Sequence, residues 1–471
     1  CNCPVYKKGI VDLKQVINKK ILLWCSPGFG LVDVWLPVIQ KLRERDGIVI
    51  DFVFPEPSSL RLENKESDLF NLSEKFSDNV IFRGYSGRWF ISDTLISASS
   101  GIYFNKIDEK ILRLSIRLIE GKLSKYYILR EFGKYLIVVY RYVFYIKENF
   151  GSLNLYDFNL LKNTDGILYD VLAENKFVNK ELRDGFRHVP KFSMLHGLDA
   201  GWVCNKMLCK KQVKSRSDVV VYTMSKLESN GYKKCFGISE NNIIHVGIPR
   251  HDKDWIEFIY NQSYSVKNNI FDSFVFIIGR PASQYNTPER KKEALKDIYE
   301  IVCNKYKLKL IIKSHPKESL DGVDGDIYRN ALGIENYGKD WVFSDNHVFM
   351  LGKKAIFCIS FYSGVIIDML AINRPTIEYL NLEGLDAYDN SDSLRDEYGK
   401  PVFQYRYTNL VLGASSKSAL DQHIDSILNQ YEATILSLQS RYEEYFKPFN
   451  GASEMVANNI FNRINNKIEP E

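Results

Sequence analysis

The stretch LKLIIKSHP, residues 308–316, decides how the rest of the chain is read. Leu308–Ile312 is a short apolar run of β type, and it stops abruptly on Lys313-Ser314-His315-Pro316. A strand ending this way delivers a cation and an imidazole to the C-terminal edge of a sheet, where open α/β sheets bind their ligands. Pro316 holds His315 extended and keeps a helix from starting at once. Some forty residues on, the run Ala355–Ile359 repeats the pattern and ends in Ser360-Phe361-Tyr362-Ser363-Gly364, followed directly by the helical run Val365–Ala371. A Ser-Gly pair opening a helix leaves amide N–H groups facing the strand edge, which suits an anionic phosphate. Two such edges side by side make a nucleotide-phosphate site.

Working outward, Phe274–Ile278 is a strand closed by Gly279-Arg280, and the apolar run Pro375–Ile377 ends on Glu378. Gly279-Arg280, Lys313-x-His315, Ser363-Gly364 and Glu378 thus terminate successive strands of one domain. Lys and Arg pair with phosphate oxygens, and a carboxylate at Glu378 suits two ribose hydroxyls. Each element also has a plainer reading: a strand terminator at His315-Pro316, a helix cap at Ser363-Gly364, a solvated Arg280, a salt bridge at Glu378.

Toward the N-terminus, Lys19–Cys25 reads as a strand, Ser26-Pro27-Gly28-Phe29-Gly30 as a glycine-bearing turn, Val34–Arg45 as a helix and Ile48–Phe54 as the next strand. That order is a βαβ unit and starts a parallel sheet. The glycine spacing is wrong for a dinucleotide fingerprint. Ser26, Gly28, Gly30 and Asp33 are expected to face an acceptor, with a plain tight turn as the alternative. Further strands are expected at Val80–Arg83, Gly166–Tyr169, Phe192–Leu195, Val219–Tyr222 and Ile243–Val246. The loop His196-Gly197-Leu198-Asp199 follows one of them directly. An imidazole and a carboxylate beside glycines are the raw material of acid–base catalysis, although a His capping a turn gives the same string.

At 471 residues two domains are the natural expectation. The boundaries fall at residues 1–258 for an acceptor domain, 270–430 for a nucleotide-donor domain and 431–471 for C-terminal helices packing back across the boundary. Apolar residues make up 45% and charged ones 26%, the composition of a globular protein. The net charge of +5 is mild; it does not call for nucleic acid and accommodates an anionic substrate or membrane surface. Eight cysteines in no regular framework point to a reducing, cytoplasmic compartment with buried thiols and no zinc site. No signal peptide is legible, and the sequence begins on Cys1. Residues 111–150 are basic, aromatic and helical in period. They read either as a helix pair packed on the first domain or as a surface resting on anionic lipid at the inner membrane.

The order His196-Gly197, Gly247-Ile248-Pro249-Arg250-x-Asp252, His315-Pro316, then Ser363-Gly364-x-x-x-Asp368 with Arg374-Pro375 resembles the GT-B superfamily of bacterial surface-glycan transferases. It is similar in particular to CDP-glycerol glycerophosphotransferases, and to capsule and lipopolysaccharide transferases that use CMP-activated Kdo or sialic acid, where a His-Pro motif holds the CMP phosphate. The resemblance covers residues 165–379. Two departures stand out: Ser193-Met194-Leu195 occupies the place of the usual Gln-x-Trp, and Tyr362-Ser363 that of a paired serine.

The resemblance implies two Rossmann-like α/β domains facing across a cleft, with C-terminal helices bridging both. It implies a glycosyltransferase that moves a sugar from a nucleotide-activated donor, CMP- or CDP-linked, to a glycan or lipid-linked acceptor. Gly279, Arg280, Lys313, His315, Pro316, Ser363, Gly364 and Glu378 form the expected donor site. His196 or Asp199 activates the acceptor hydroxyl, and His315 protonates the leaving phosphate. No cofactor or metal is expected, because basic residues supply the same electrostatic stabilisation. The alternatives are a CDP-glycerol-type glycerophosphotransferase, a nucleotide-sugar epimerase and a non-catalytic glycan-binding protein.

Overall fold

The structure is a computed structural model, and it describes residues 18–25, 29–55, 67–82, 106–119, 125–133, 135–136, 163–171, 182, 186–195, 215–225, 228–262, 271–283, 286–318, 320–381, 394–395, 399, 401–446 and 450–465. Two parallel sheets organise it. The first has seven strands: β1 (Lys19–Trp24), β2 (Ile48–Phe54), β3 (Asn79–Phe82), β4 (Gly166–Tyr169), β5 (Lys191–Ser193), β6 (Val219–Thr223) and β7 (Ile243–His245). The second has six: β8 (Phe274–Ile278), β9 (Lys309–Lys313), β10 (Trp341–Phe343), β11 (Ala355–Ser360), β12 (Thr376–Tyr379) and, after a small hairpin of β13 (Leu394–Arg395) and β14 (Pro401–Val402), β15 (Leu412–Ala414).

The spatial orders are β3-β2-β1-β4-β5-β6-β7 and β10-β9-β8-β11-β12-β15. Each sheet therefore starts at its centre, winds outward one way and then reverses, which is the doubly wound pattern. The reversal falls between β1 and β4 in the first sheet and between β8 and β11 in the second. At such a switch point two neighbouring strand ends send their loops apart and leave a crevice.

The helices follow from the same sequence. In the first half they are α1 (Phe29–Arg43), α2 (Ser67–Phe76), α3 (Lys106–Ile119), α4 (Glu228–Phe236) and α5 (Lys253–Asn261). In the second they are α6 (Pro288–Ile298), α7 (Val323–Leu332), α8 (Val348–Lys354), α9 (Val365–Ala371) and the short α10 (Gln404–Tyr407). Thr287 caps α6, with Pro288 in its first turn. Then come α11 (Lys417–Asn429), α12 (Tyr431–Phe446) and α13 (Ala452–Asn465).

Strands buried on both faces read as continuous apolar runs, and β8 shows the alternation inside one. Phe274, Phe276 and Ile278 join a core continuous with that of the first sheet, whereas Val275 and Ile277 join a second cluster under α6, α7 and α11. The last helix returns to the first sheet. Ile464 of α13 packs over Gly166, where a Cβ would meet its methyl at 3.2 Å. Asp252 fastens the start of α13 by accepting from the amides of Gly451, Ala452 and Ser453 at 2.8–3.0 Å.

Three expectations need correction. The helix α1 starts at Phe29, five residues before the expected Val34, so Gly30 and Asp33 lie in its first turns and not in a loop. The strands β10 and β15 complete the second sheet but are too short, at three residues each, to show a period of their own. Cys25, Cys303 and Cys358 are buried thiols, but Cys235 is disulfide-bonded.

Candidate functional site

The register of the second sheet lines up the expected donor residues. Lys313 of β9 pairs with Ile278 of β8, Ile278 with Ser360 of β11, and Ser360 with Glu378 of β12. The four strand ends are contiguous and sit in one row across the switch point. Gly279-Arg280, Ser314-His315-Pro316 and Tyr362-Ser363-Gly364 all leave from that row.

Packing explains why Gly279 follows β8. A Cβ there would meet Glu318 Oε2 at 2.7 Å, the Lys313 carbonyl at 2.8 Å and the Tyr328 hydroxyl at 2.9 Å. Its amide donates to the Lys313 carbonyl at 2.9 Å, which draws the loops after β8 and β9 together. Next to it, Arg280 donates to the Tyr362 carbonyl and lies 4.6 Å over the Tyr362 ring. Tyr362 has φ +80°, unusual for a residue with a side chain. That turn sends the chain into Ser363-Gly364 and α9, and Ser363 Oγ accepts from the Val365 amide at 3.4 Å.

The His315 turn rests on a buried carboxylate that sequence reasoning missed. Glu318 accepts from the His315 amide at 2.6 Å and from the Tyr328 hydroxyl at 3.0 Å, and forms an ion pair with Lys291. Lys291 and Glu318 are both fully buried, and the Lys291 ammonium lies 4.2 Å over the Tyr328 ring. The sequence signal was a carboxylate three residues after the histidine. On the ring itself, Nδ1 accepts from the Lys317 amide at 3.1 Å. That bond assigns the proton to Nε2 in the neutral imidazole, so Nε2–H is a donor suited to a phosphate oxygen. The Lys313 ammonium donates to the Asp345 carbonyl at 3.1 Å.

Glu378 is fully buried, and Arg406 donates to its Oε1 at 2.8 Å. Oε2 has no hydrogen-bond partner among the described residues. Burial pushes the Glu378 carboxyl above the usual range, against the pull of Arg406 and Arg280. The salt bridge of the plainer reading is present, and one oxygen retains acceptor capacity.

Asp33 stands apart from this row. Expected to meet an acceptor, it is instead buried in the contact between the two halves, because both its oxygens are engaged. Oδ2 accepts from Arg250 at 2.7 Å and Oδ1 from His347 Nε2 at 3.1 Å. Burial alone would raise its pKa, but the Arg250 guanidinium and His347 hold it at about 2. Arg250 also pairs with Asp368 of α9, and His251 reaches the same carboxylate at 2.8 Å while Tyr442 of α12 contacts its other nitrogen at 2.6 Å. The His347 amide donates to Asp68 of α2 at 2.9 Å. These residues join α1, α2, the segment after β7, α9 and α12 in one polar cluster.

Ser26, Gly28, His196 and Asp199 lie outside the described residues. Gly30 is exposed near the start of α1. Among the described residues, no group of three or more His, Cys, Asp or Glu is placed to hold a metal ion, and no helix is long and apolar enough to cross a membrane.

No family model and no curated protein matches the sequence. Solved structures do match. MnaA of S. aureus in complex with UDP superposes with a TM-score of 0.53 at 12% identity, covering 96% of this chain and 99% of that one. The chain's fold is GT-B-like. The wall teichoic acid polymerase TagF matches at a TM-score of 0.51 and 11% identity over 96% of this chain and 90% of its own. The UDP-GlcNAc 2-epimerase of Neisseria meningitidis, bound to UDP-GlcNAc, gives 0.51 at 11% over 94% and 100%. At these identities the likeness is one of GT-B-like architecture, two facing doubly wound halves, and the chemistry has to be argued from the residues.

Proposed function

We propose that the protein is a GT-B glycosyltransferase, moving a sugar from a nucleotide-activated donor to a bacterial surface glycan. The observation that supports this most is the row Lys313, Ile278, Ser360, Glu378, which gathers Arg280, His315 and Ser363-Gly364 at one switch point. Two cations, an Nε2–H donor and the amides opening α9 complement a diphosphate or phosphodiester. The Glu378 oxygen without a partner among the described residues suits ribose hydroxyls. In this scheme the His315 Nε2–H hydrogen-bonds the leaving phosphate oxygen and stabilises its charge as the glycosidic bond to it breaks. His196 or Asp199 takes the proton of the acceptor hydroxyl. The donor nucleotide is a pyrimidine, CMP- or CDP-linked, in keeping with the UDP and CDPG named for the solved neighbours.

A second reading, nucleotide-sugar epimerisation, draws on the epimerases among those neighbours. Labelled nucleotide sugars separate the two. Transfer requires an acceptor and releases nucleotide, whereas an epimerase converts the donor with no acceptor present. Conversion without acceptor contradicts the proposal.

A further inference from the structure

The helix α3 presents two faces of different character. Ser115 and Leu118 are buried, while Ile107, Lys110, Leu114 and Arg117 are exposed along the opposite stripe. That stripe alternates aliphatic and cationic side chains at helical spacing. Residues 127–133, helical in turn, continue the pattern: Tyr127 is 68% and Ile128 79% exposed, beside exposed Tyr126, Phe132 and Tyr135. Lys125 lies 5.0 Å over the Tyr126 ring and Arg130 5.4 Å over that of Tyr127.

Apolar side chains this exposed cost free energy in water unless something covers them. The charge decides what covers these. Residues 106–150 hold ten lysines and arginines against five acids, a balance of +5 equal to that of the whole 471-residue chain. The remainder of the protein is therefore balanced in formal charge, and among the described side chains Lys110, Arg113, Arg117, Lys125 and Arg130 stand beside the exposed aromatics against one acid, Glu131.

We infer that the surface formed by α3 and residues 125–136 docks on a bilayer containing anionic lipid. Aromatic rings and aliphatic tips enter the headgroup layer, and Lys and Arg stems lie along it with their charges among lipid phosphates. The anchoring is peripheral. It goes beyond the transfer reaction and holds independently of which sugar or nucleotide the cleft accepts.

Cosedimentation of the full chain with vesicles tests it. Vesicles of phosphatidylcholine mixed with phosphatidylglycerol should carry the protein down at low salt and release most of it at high salt; phosphatidylcholine alone should not. The pair Lys110→Gln with Arg117→Gln should weaken binding on the order of tenfold. Tyr127→Ser with Ile128→Ser should do the same while leaving the salt dependence in place. All four side chains are exposed, so both variants should melt with the wild type. The inference is overturned by failure to bind the anionic vesicles, by equal binding to both vesicle types, or by binding that survives both pairs. A concentration-dependent dimer abolished by Tyr127→Ser with Ile128→Ser would overturn it too, placing a second copy on this face. Stabilisation by nucleotide, measured in the same samples, reports on the cleft separately.

Discussion

Arg250 grips Asp368 with both edges of its guanidinium fork, Nε donating to Oδ1 at 2.7 Å and Nη2 to Oδ2. The two residues are 118 apart in sequence, and Arg250 donates to Asp33 of the first half as well. All three side chains are buried, so removing one leaves uncompensated charge in a dry environment. Arg250→Met should lower stability by about 3–5 kcal/mol. Arg250→Lys should recover little, because an ammonium cannot reproduce a fork and a third bond in one plane. Urea denaturation midpoints check both, and a loss below about 1 kcal/mol for Arg250→Met would contradict the buried network.

The same cluster sets an acid response. Burial, with Arg250 nearby, holds His251 neutral, its pKa well below the ordinary value. A folded-state pKa below the unfolded one gives stability that is complete above about pH 6.5 and declines as the pH falls below it. Asp33, lowered from 3.8 to about 2, adds stability that is lost only between those two values. The contribution of these two groups should therefore be flat above about pH 6.5 and fall in two stages below it. His251→Gln should shrink the upper stage, to which the half-buried ring of His423 also contributes, and leave the lower. Denaturation across pH checks the order; a decline starting only below pH 4 in the wild type would sink it.

Gly279→Ala tests how tightly the donor loops are drawn together. The added methyl meets Glu318 Oε2, the Lys313 carbonyl and the Tyr328 hydroxyl at 2.7–2.9 Å. Overpacking of this kind costs about 1–3 kcal/mol. Because the strain falls on the turn that carries His315, donor KM should rise several-fold with acceptor KM unchanged. An unchanged donor KM would detach Gly279 from the site.

Much of this architecture was legible. The apolar runs at Lys19–Trp24, Phe274–Ile278 and Ala355–Ser360 are central strands, and their lengths and flanking turns announced parallel α/β sheets. The terminal motifs of β8, β9, β11 and β12 were legible as well, since a strand end is a local event. What stayed hidden was tertiary. Arg250 and Asp368 stood in recognisable motifs, yet nothing in either string says that they meet. Asp33 looked like a loop residue because the glycines before it mask the early start of α1. Lys291 reads as one more lysine in a charged helix, and only the folded chain shows it paired with Glu318 beneath His315.

Substitutions within the donor row should separate binding from transfer. Lys313→Ala and Ser363→Ala should raise donor KM much more than acceptor KM. His315→Ala should abolish transfer with a melting temperature close to wild type, as its ring accepts one amide and fills no core. Steady-state kinetics in both substrates, with thermal melts, check the set; an acceptor-side defect in Lys313→Ala would move the donor elsewhere.

For the first half, Asp199→Asn removes a charge at constant size. It should reduce turnover by about 10²–10⁴-fold, the usual contribution of an acid–base group, with donor affinity unchanged. His196→Ala should match it if the imidazole is the base. Near-normal turnover in both variants would shift acceptor activation to another residue.

The central claim is that the strand ends carrying Arg280, Lys313, His315 and Ser363 bind the nucleotide phosphate. The most direct measurement is the melting temperature of wild type and Lys313→Ala with CMP, CDP, UMP and UDP. A specific ligand at a hundred times its Kd stabilises by about 2.7 kcal/mol. A cytidine nucleotide should raise the wild-type melting temperature most, and Lys313→Ala should lose most of that rise while melting normally alone. Equal stabilisation of both proteins, or no stabilisation of the wild type by any of the four, would contradict the account.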